Sequence, residues 1–147
     1  MSLLLDQQAR RKARSLSAVR SRIMASIRGT NTRPELAVRS LVHRLGYRFR
    51  LHASELPGTP DVVFRVRKKV IFVHGCFWHR HTCRDGKKVP SKNKRYWLPK
   101  FARNRARDVT ARRSLRRDGW SSLVVWECEV RAPERLTRKL VGFLGEA

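Results

Sequence analysis

The residues best suited to chemistry lie in one short stretch, Lys69–Cys83, with the sequence KVIFVHGCFWHRHTC. The apolar run Val70–Val73 leads into a loop that carries two of the three cysteines and three of the five histidines. This pattern predicts a buried strand that opens into a ligand-rich loop. Cys76, His81 and Cys83 could share one metal ion, and a tetrahedral zinc would need a fourth ligand. The alternative is buried free cysteines and ordinary surface histidines.

The chain as a whole is strongly basic, with 35 Lys and Arg against 11 Asp and Glu, a net charge of +24. Such an excess indicates a polyanionic partner, most simply nucleic acid, because neutralised phosphates release counterions. No apolar run approaches the roughly 20 residues of a spanning helix, and the N-terminal leucine patch is too short for a signal peptide. We therefore predict a cytoplasmic protein with no membrane partner and reduced thiols, which favours metal ligation over disulfides.

The length of 147 residues fits a single domain with one core. Residues 1–20 are basic and poor in large apolar side chains, which predicts either a partly disordered arm that lies on phosphates or a solvated tail. We predict that residues 21–147 form the domain. The periodicity indicates helices, three strands, a helix, a strand and a last helix. This order predicts an α/β fold with a mixed central sheet flanked by helices.

The first predicted elements place acidic and imidazole groups at their ends. Thr32 fits the N-cap of a helix that ends at Gly46, and Glu35 follows it by three residues, as a capping box requires. Glu35 therefore has a purely structural explanation. Asp61 opens one predicted strand, DVVFRV, and His74 ends the next. In a hairpin, Asp61 and His74 would lie at the same end of the sheet, although an aspartate after a proline can also simply cap a turn.

The second half of the chain combines a polar loop, a basic helix and one more strand. Residues 84–94 are basic and polar, which predicts a loop. The helix predicted over roughly Lys100–Arg117 is so rich in arginine that much of it must face solvent or phosphate. A buried strand is predicted over Trp120–Glu127, with Cys128 at its end. Pro133 begins a last amphipathic helix.

Three segments, LPGTPDVVF, IFVHGCFWHRHTC and VVWEC, occur in this order along the chain. Together they resemble the very short patch repair (Vsr) endonucleases, from roughly Ser15 to the C-terminus. The resemblance implies a restriction-endonuclease-like core and an enzyme that nicks one strand of double-stranded DNA. The nick would fall 5′ to the T of a T:G mismatch left by deamination of 5-methylcytosine. It further implies a monomer in the bacterial cytosol, associated with the nucleoid, with other DNA repair proteins as candidate partners.

The resemblance implies two kinds of metal. A structural zinc would be held by four residues, Cys76, His81, Cys83 and Cys128. Such a closed site holds a loop in place and does no chemistry. Catalytic magnesium would be held by Asp61 and by the backbone carbonyl of Val73. The best-known family pattern has threonine at that position, so this chain keeps the carbonyl and lacks the hydroxyl.

The resemblance also implies catalytic roles. Asp61 matches the metal-binding aspartate, Glu35 matches an acidic helper, and His74 and His79 match two catalytic histidines. Histidine titrates near neutral pH and is therefore suited to proton transfer with water. We expect His79 to be the general base and His74 to contact a metal-bound water or the phosphate, and the sequence leaves open an exchange of these roles.

A further group of residues matches positions that contact the mismatch in the family. By resemblance these are a major-groove wedge of Phe77, Trp78 and Trp97, the minor-groove residues Met24 and Ile27, and base contacts from Lys100 and Asn104. Apolar wedges that unstack a base step are one way to read a deformable lesion. On local pattern alone, Phe77 and Trp78 would be interpreted as core residues, and Lys100 and Asn104 as part of a solvated helix face.

Two alternatives stay open at the level of sequence. One is a non-enzymatic, zinc-containing DNA-binding module, which would not need the combination of Glu35, Asp61, His74 and His79. The other is a nicking endonuclease of the same fold with a different DNA substrate.

Overall fold

The computed structural model describes residues 31–147 and, ahead of them, the single residue Gln7. The predicted arm, Met24 and Ile27 lie outside the described residues. So do residues 21–30 as a whole, where the spacing of apolar residues predicts a short helix. The chain divides into two units, residues 1–32 and 33–147, and the elements below belong to the second. None of the described helices is both long enough and apolar enough to cross a membrane.

The helices and strands of residues 33–147 follow one another in the predicted order: a helix, three strands, a helix, a strand and a last helix. The helices are α1 (Arg33–Arg44), α2 (Lys94–Arg117) and α3 (Pro133–Leu144). The strands are β1 (Arg50–Leu51), β2 (Val62–Phe64), β3 (Lys69–His74) and β4 (Ser121–Trp126). Short 3₁₀ turns cover Asp85–Lys87 and Glu127–Arg131. The four strands form one sheet in the order β1-β2-β3-β4, antiparallel except for the parallel pair β3 and β4. The predicted mixed sheet is therefore confirmed.

Both faces of the sheet are buried against helices. Successive side chains along each strand point to opposite faces, so each strand contributes to both cores. One face packs on α1 and α3, through residues that include Val38, Val42, Val62, Phe64, Ile71, Leu136 and Leu140. The other face carries Val63, Val70 and Phe72 and packs on Leu115 of α2. The result is a three-layer α/β arrangement in which α2 lies alone on its face of the sheet among the described helices.

Strand register brings the chemically interesting residues to one end of the sheet. Val62 pairs with Ile71 in the β2–β3 hairpin, and the Asp61 N–H donates to the Ile71 carbonyl over 3.1 Å. His74, at the end of β3, pairs with Trp126 at the end of the parallel strand β4. The C-terminal ends of parallel strands lie at the same end of the sheet, so the turn that contains Cys128 follows at that end too. The prediction that Asp61 and His74 share one end of the sheet is confirmed.

Helix α2 begins at Lys94, six residues before the predicted start at Lys100. The helix therefore contains Pro99, which lacks an N–H and weakens a helix interior. Tyr96 and Trp97 both donate backbone N–H groups to the Asn93 carbonyl, at 2.9 and 3.1 Å, and so close the first turn. The Trp97 ring stacks on Phe101 with centroids 5.8 Å apart, and this packing stabilises the additional turns around Pro99.

Strand β1 covers only Arg50–Leu51, although the alternating sequence YRFRL predicts a strand over the whole of Tyr47–Leu51. The Tyr47 N–H donates to the Val42 carbonyl at the end of α1, so this group takes no part in the sheet. The Tyr47 ring is buried edge-on against Phe64, at 6.2 Å between centroids. The alternation therefore reflects core packing of the segment before β1 as well as strand pairing.

Gly58 allows the loop before β2 to approach α2 closely. Its φ is +75°, and an added Cβ would lie 2.6 Å from the Ala111 Cβ and 3.1 Å from the Phe72 ring. We expect Gly58→Ala to lower the free energy of unfolding by about 1–3 kcal/mol, because of overpacking and of strain in a left-handed backbone. The matched control is Gly142→Ala in α3, where an added Cβ meets nothing within 4 Å. The control should raise stability, by up to about 1 kcal/mol. Urea unfolding of both variants checks this, and equal effects would contradict it.

Candidate active site and metal centre

Four potential metal ligands, Cys76, His81, Cys83 and Cys128, meet beyond the ends of β3 and β4. Their ligand atoms all lie within 4.8 Å of one another. Nδ1 of His81 is 3.8 Å from the Cys76 sulfur and 3.5 Å from the Cys128 sulfur. On a tetrahedral zinc, with bonds of about 2.3 Å to sulfur and about 2.0 Å to nitrogen, sulfur and nitrogen are about 3.5 Å apart. The donor set and its spacing therefore fit one four-coordinate zinc.

Tight backbone packing builds this centre. The His81 N–H donates to the Cys76 carbonyl over 3.0 Å, and the His81 ring stacks on Trp126 at 4.2 Å between centroids. Gly86 approaches the same loop so closely that an added Cβ would lie 1.9 Å from the His81 carbonyl oxygen. The Cys128 N–H donates to the Cys76 sulfur over 3.4 Å, which ties the turn after β4 to the loop after β3.

The thiols of the centre differ in acidity. Burial raises the pKa of the Cys76 thiol to about 12, whereas the backbone N–H of Gly86 lowers the pKa of Cys83 to about 6. Cys83 is therefore disposed to be a thiolate at neutral pH, and Cys76 keeps its proton in the absence of a cation. A metal ion that displaces that proton binds with an affinity that depends on pH.

Asp61 is held at the end of the sheet by its side chain. Its Oδ2 accepts a hydrogen bond of 2.7 Å from the Val73 N–H. The N–H and C=O of a strand residue point to the same edge, so the Val73 carbonyl also faces Asp61. Burial raises the pKa of Asp61 to about 6 and the nearby Glu35 adds to the rise, while the Val73 N–H opposes it. A divalent cation would relieve this electrostatic cost, and the oxygen donors present fit magnesium.

A second carboxylate, Glu35, lies on the other side of Asp61. Glu35 is buried on α1, with only 7% of its surface exposed, and Arg39 donates to its Oε2 over 3.1 Å. Nε2 of His52 is 2.8 Å from Nη2 of Arg39 and 3.9 Å from Oε2 of Glu35. The ligand atoms of Glu35, His52 and Asp61 lie within 4.8 Å of one another. Sequence reasoning assigned Glu35 and Asp61 to this region and did not identify His52.

His79 forms a close pair with an acidic residue of α2 that sequence reasoning also missed. Its Nδ1 donates to Oδ2 of Asp108 over 2.6 Å. A signal was available, because Asp108 is the only acidic residue in the 24 residues of α2. An imidazole whose Nδ1 is engaged by a carboxylate exchanges protons with water at Nε2. The arrangement therefore suits His79 for general base chemistry.

His74 lies parallel to His79, with ring centroids 3.8 Å apart and planes at 6°. Burial, with a further contribution from His79, lowers the pKa of His74 to about 4. At neutral pH His74 is therefore an uncharged ring. It can donate one N–H to a phosphate or water oxygen without adding charge beside His79.

These groups border one cavity of about 320 Å³. Its lining includes Asp61, His74, His79 and Asp108, together with the guanidinium-bearing residues Arg107 and Arg112. Two carboxylates, two imidazoles and two arginines around one space can bind a phosphodiester, activate water and neutralise charge on the phosphate.

The predicted wedge residues form an aromatic cluster beside the cavity. Phe77 lies 5.1 Å from Trp78 and 5.7 Å from Trp97 between ring centroids. Phe77 and Trp78 are half-buried and lie in neither core cluster of the described residues. Nζ of Lys100 is 5.3 Å from the centre of the Trp78 ring. Asn104 lines the cavity and its amide donates to the Trp78 carbonyl over 3.3 Å, so the cluster and the cavity adjoin.

Comparison with known proteins gives a consistent result. The family described as "DNA mismatch endonuclease Vsr" matches residues 15–85. The type II nicking enzyme V.XorIIP of Xanthomonas oryzae pv. oryzae is 56% identical over 108 residues, which are 74% of this chain and 79% of that protein. The DNA mismatch endonuclease Vsr of Escherichia coli K12 is 42% identical over 120 residues, 82% of this chain and 76% of that protein. The type II nicking enzyme V.NaeI of Lentzea aerocolonigenes is 44% identical over 119 residues, 78% and 70% of the two chains.

The α/β fold, the cavity and these relatives define an endonuclease that acts on DNA. The chain belongs to the Vsr family, as its three sequence segments predicted. Family membership sets aside the alternative of a non-enzymatic DNA-binding module.

The His79–Asp108 pair generates a test of its own. Asp108→Asn keeps the shape of the side chain but removes the charge that would stabilise a protonated His79. We expect the single-turnover nicking rate to fall by about 10²–10⁴-fold while DNA affinity changes little. Asp118→Asn, at the exposed C-terminal end of the same helix, is the matched control and should nick normally. A normal rate for Asp108→Asn would show that the pair has no part in the chemical step.

Proposed function

We propose that this endonuclease hydrolyses one strand of double-stranded DNA 5′ to the T of a T:G mismatch, in a reaction that depends on magnesium. The observation that carries the proposal is the placement of Asp61 and the His79–Asp108 pair on one cavity that adjoins the aromatic cluster. This placement supports cleavage of a phosphodiester beside the point where aromatic side chains enter a duplex. We also infer that the mixed sheet and its helices are a restriction-endonuclease-like core.

The proposed magnesium site consists of the Asp61 carboxylate and the Val73 carbonyl. Bound there, magnesium would neutralise charge on the phosphate and lower the pKa of the attacking water. Valine supplies the same backbone carbonyl as the threonine of the family pattern. The hydrogen bond from the Val73 N–H to Asp61 supports this assignment, since it holds the carboxylate on the carbonyl side of the strand.

The proton moves through His79 in this proposal. Asp108 holds the ring through Nδ1, so that Nε2 takes the proton of the attacking water, and the carboxylate then stabilises the imidazolium. His74, kept neutral by its low pKa, donates an N–H to the phosphate or to a water on the metal. Arg107 and Arg112 line the cavity and add positive charge toward the phosphate.

Recognition of the mismatch is assigned to the aromatic cluster. A mispaired base is less costly to unstack than a paired one, so a wedge of Phe77, Trp78 and Trp97 enters most readily at the lesion. The positive charge of Lys100 beside these rings supports a phosphate or base contact at the proposed point of entry. The net charge of +24 contributes affinity for any duplex and little discrimination.

A second candidate function is a nicking endonuclease with the same chemistry and a different DNA substrate. It is favoured by the names of V.XorIIP and V.NaeI, both of which are type II nicking enzymes. A nicking assay on duplexes that carry T:G in varied sequence contexts, with and without magnesium, separates the two. Magnesium-dependent cleavage at T:G supports the first function. Cleavage of matched duplexes at an equal rate supports the second.

The metal-binding role of Asp61 predicts that catalysis can be separated from binding. Asp61→Ala should abolish nicking in magnesium and leave affinity for T:G duplex nearly unchanged, because it removes a metal ligand and no wedge residue. His79→Ala should slow nicking by about 10²-fold or more, as the loss of a general base does. Single-turnover assays and binding titrations check both. Normal cleavage by Asp61→Ala would overturn the assignment.

The four-ligand centre predicts one tightly bound zinc per chain that is needed for folding. Cys128→Ser should lower zinc content and soluble yield together, because binding free energy at such a site is also folding free energy. Elemental analysis of the purified chain measures the zinc. Active protein without zinc would contradict the prediction.

The wedge predicts a selective loss of discrimination. Trp78→Ala should weaken binding to T:G duplex more than to C:G duplex, so that the ratio of the two affinities falls. Arg11→Ala, in the basic N-terminal segment, is the control. It should weaken binding to both duplexes about equally and reduce the slope of log affinity against log salt concentration by the amount expected for about one phosphate contact. Titrations of both duplexes at two salt concentrations check this. An equal loss on both duplexes for Trp78→Ala would mean that the ring is structural.

A further inference from the structure

His52 occupies an unusual backbone conformation beside the proposed magnesium site. Its φ is +48°, in the left-handed region, which residues other than glycine rarely adopt. The His52 N–H donates to the Asp61 carbonyl over 3.3 Å, directly after the short strand β1. This conformation brings the imidazole next to the buried carboxyl group of Glu35 and the half-buried carboxyl group of Asp61.

The spacing of the three side chains suits a shared ion. Nε2 of His52 is 3.9 Å from Oε2 of Glu35. One ligand atom from each of Glu35, His52 and Asp61 lies within 4.8 Å of the other two. Two ligands with bonds of about 2.1 Å to one ion lie between about 3 and 4.2 Å apart in octahedral geometry. Small side-chain adjustments therefore bring all three atoms onto one cation.

We propose that His52 is a further protein ligand of the catalytic cation, and that this site consequently favours Mn²⁺ over Mg²⁺. The proposal rests on the function proposed above, since it concerns the same cation. Magnesium prefers oxygen ligands and retained waters, whereas imidazole nitrogen suits first-row transition ions. With the His52 imidazole added to the Asp61 carboxylate and the Val73 carbonyl, and the Glu35 carboxylate beside them, the site therefore gains more from Mn²⁺ than a site of oxygens alone would.

Arg39 provides the counterpart to this ligand set. Its Nη2 is 3.1 Å from Oε2 of Glu35 and 2.8 Å from Nε2 of His52. The guanidinium therefore engages the Nε2 lone pair of His52 that a metal would use. Its buried Nε has no hydrogen-bond partner among the described residues. Arg39 thus competes with a cation for the same atoms, and its Nη2 must leave Nε2 when His52 binds the metal. Removing its charge should strengthen cation binding.

The test measures metal binding directly on the purified full-length chain, after its zinc content has been determined. Mn²⁺ is titrated and the free ion is followed by electron paramagnetic resonance, with Mg²⁺ affinity obtained by competition. We expect His52→Gln to weaken Mn²⁺ binding by about tenfold or more and Mg²⁺ binding by less. His43→Gln, an exposed histidine near the end of α1, is the matched control and should bind both ions normally.

Arg39→Gln gives an opposite and independent result. It should bind Mn²⁺ more tightly than the parent chain, because the competing guanidinium is gone. If circular dichroism shows that His52→Gln does not fold, this second variant decides, and unchanged or weaker binding overturns the proposal. Mn²⁺ affinity in a folded His52→Gln chain equal to that of the parent overturns it as well.

The nicking assay distinguishes this proposal from the proposed function. A parent chain that binds Mn²⁺ through His52 but never nicks T:G duplex supports the ligand assignment and overturns the function. A chain that nicks T:G duplex, and whose Mn²⁺ affinity is unchanged by His52→Gln, supports the function and overturns the ligand assignment.

Discussion

The site depends on one hydrogen bond, from the Val73 N–H to the Asp61 carboxylate, 2.7 Å long. Asp61 precedes β2 and Val73 lies near the end of β3, so the hairpin register decides whether the two can meet. A shift of one residue would turn every side chain of the strand to the other face of the sheet. The packing of both faces against α1, α3 and α2 prevents such a shift, and the core in this way holds the carboxylate in place.

Burial of like charges is the cost of this arrangement. Asp61 and Glu35 are both largely buried, and the pKa of Asp61 rises to about 6 in consequence. His74 meets a similar constraint in the opposite sense, since burial beside His79 lowers its pKa to about 4. Groups whose pKa values are shifted in opposite directions around one cavity are typical of sites that bind a cation and move a proton.

The proposed zinc centre shares one loop with the aromatic residues and with His79, the proposed general base. Cys76 and His81 bracket Phe77, Trp78 and His79, so any ion held by the first pair restrains the three residues between them. Asp108 then holds His79 from the other side, through α2. Loop and helix therefore position the aromatic cluster and His79 together, which keeps the proposed point of entry into the duplex close to the proposed point of cleavage.

The sequence by itself determined the order of the elements and the ligand-rich loop, because periodicity and spacing are local properties, and the resemblance of its three segments supplied the family and the candidates Asp61, His74 and His79. It did not determine the pairing of His79 with Asp108, 29 positions away, or the approach of His52 to Glu35 across 17. These contacts were decided by tertiary structure, since the β3–α2–β4 crossover and the turn after β1 bring distant segments together. Helix α2 likewise continues through Pro99, because the packing of Trp97 on Phe101 offsets the tendency of a proline to weaken a helix interior.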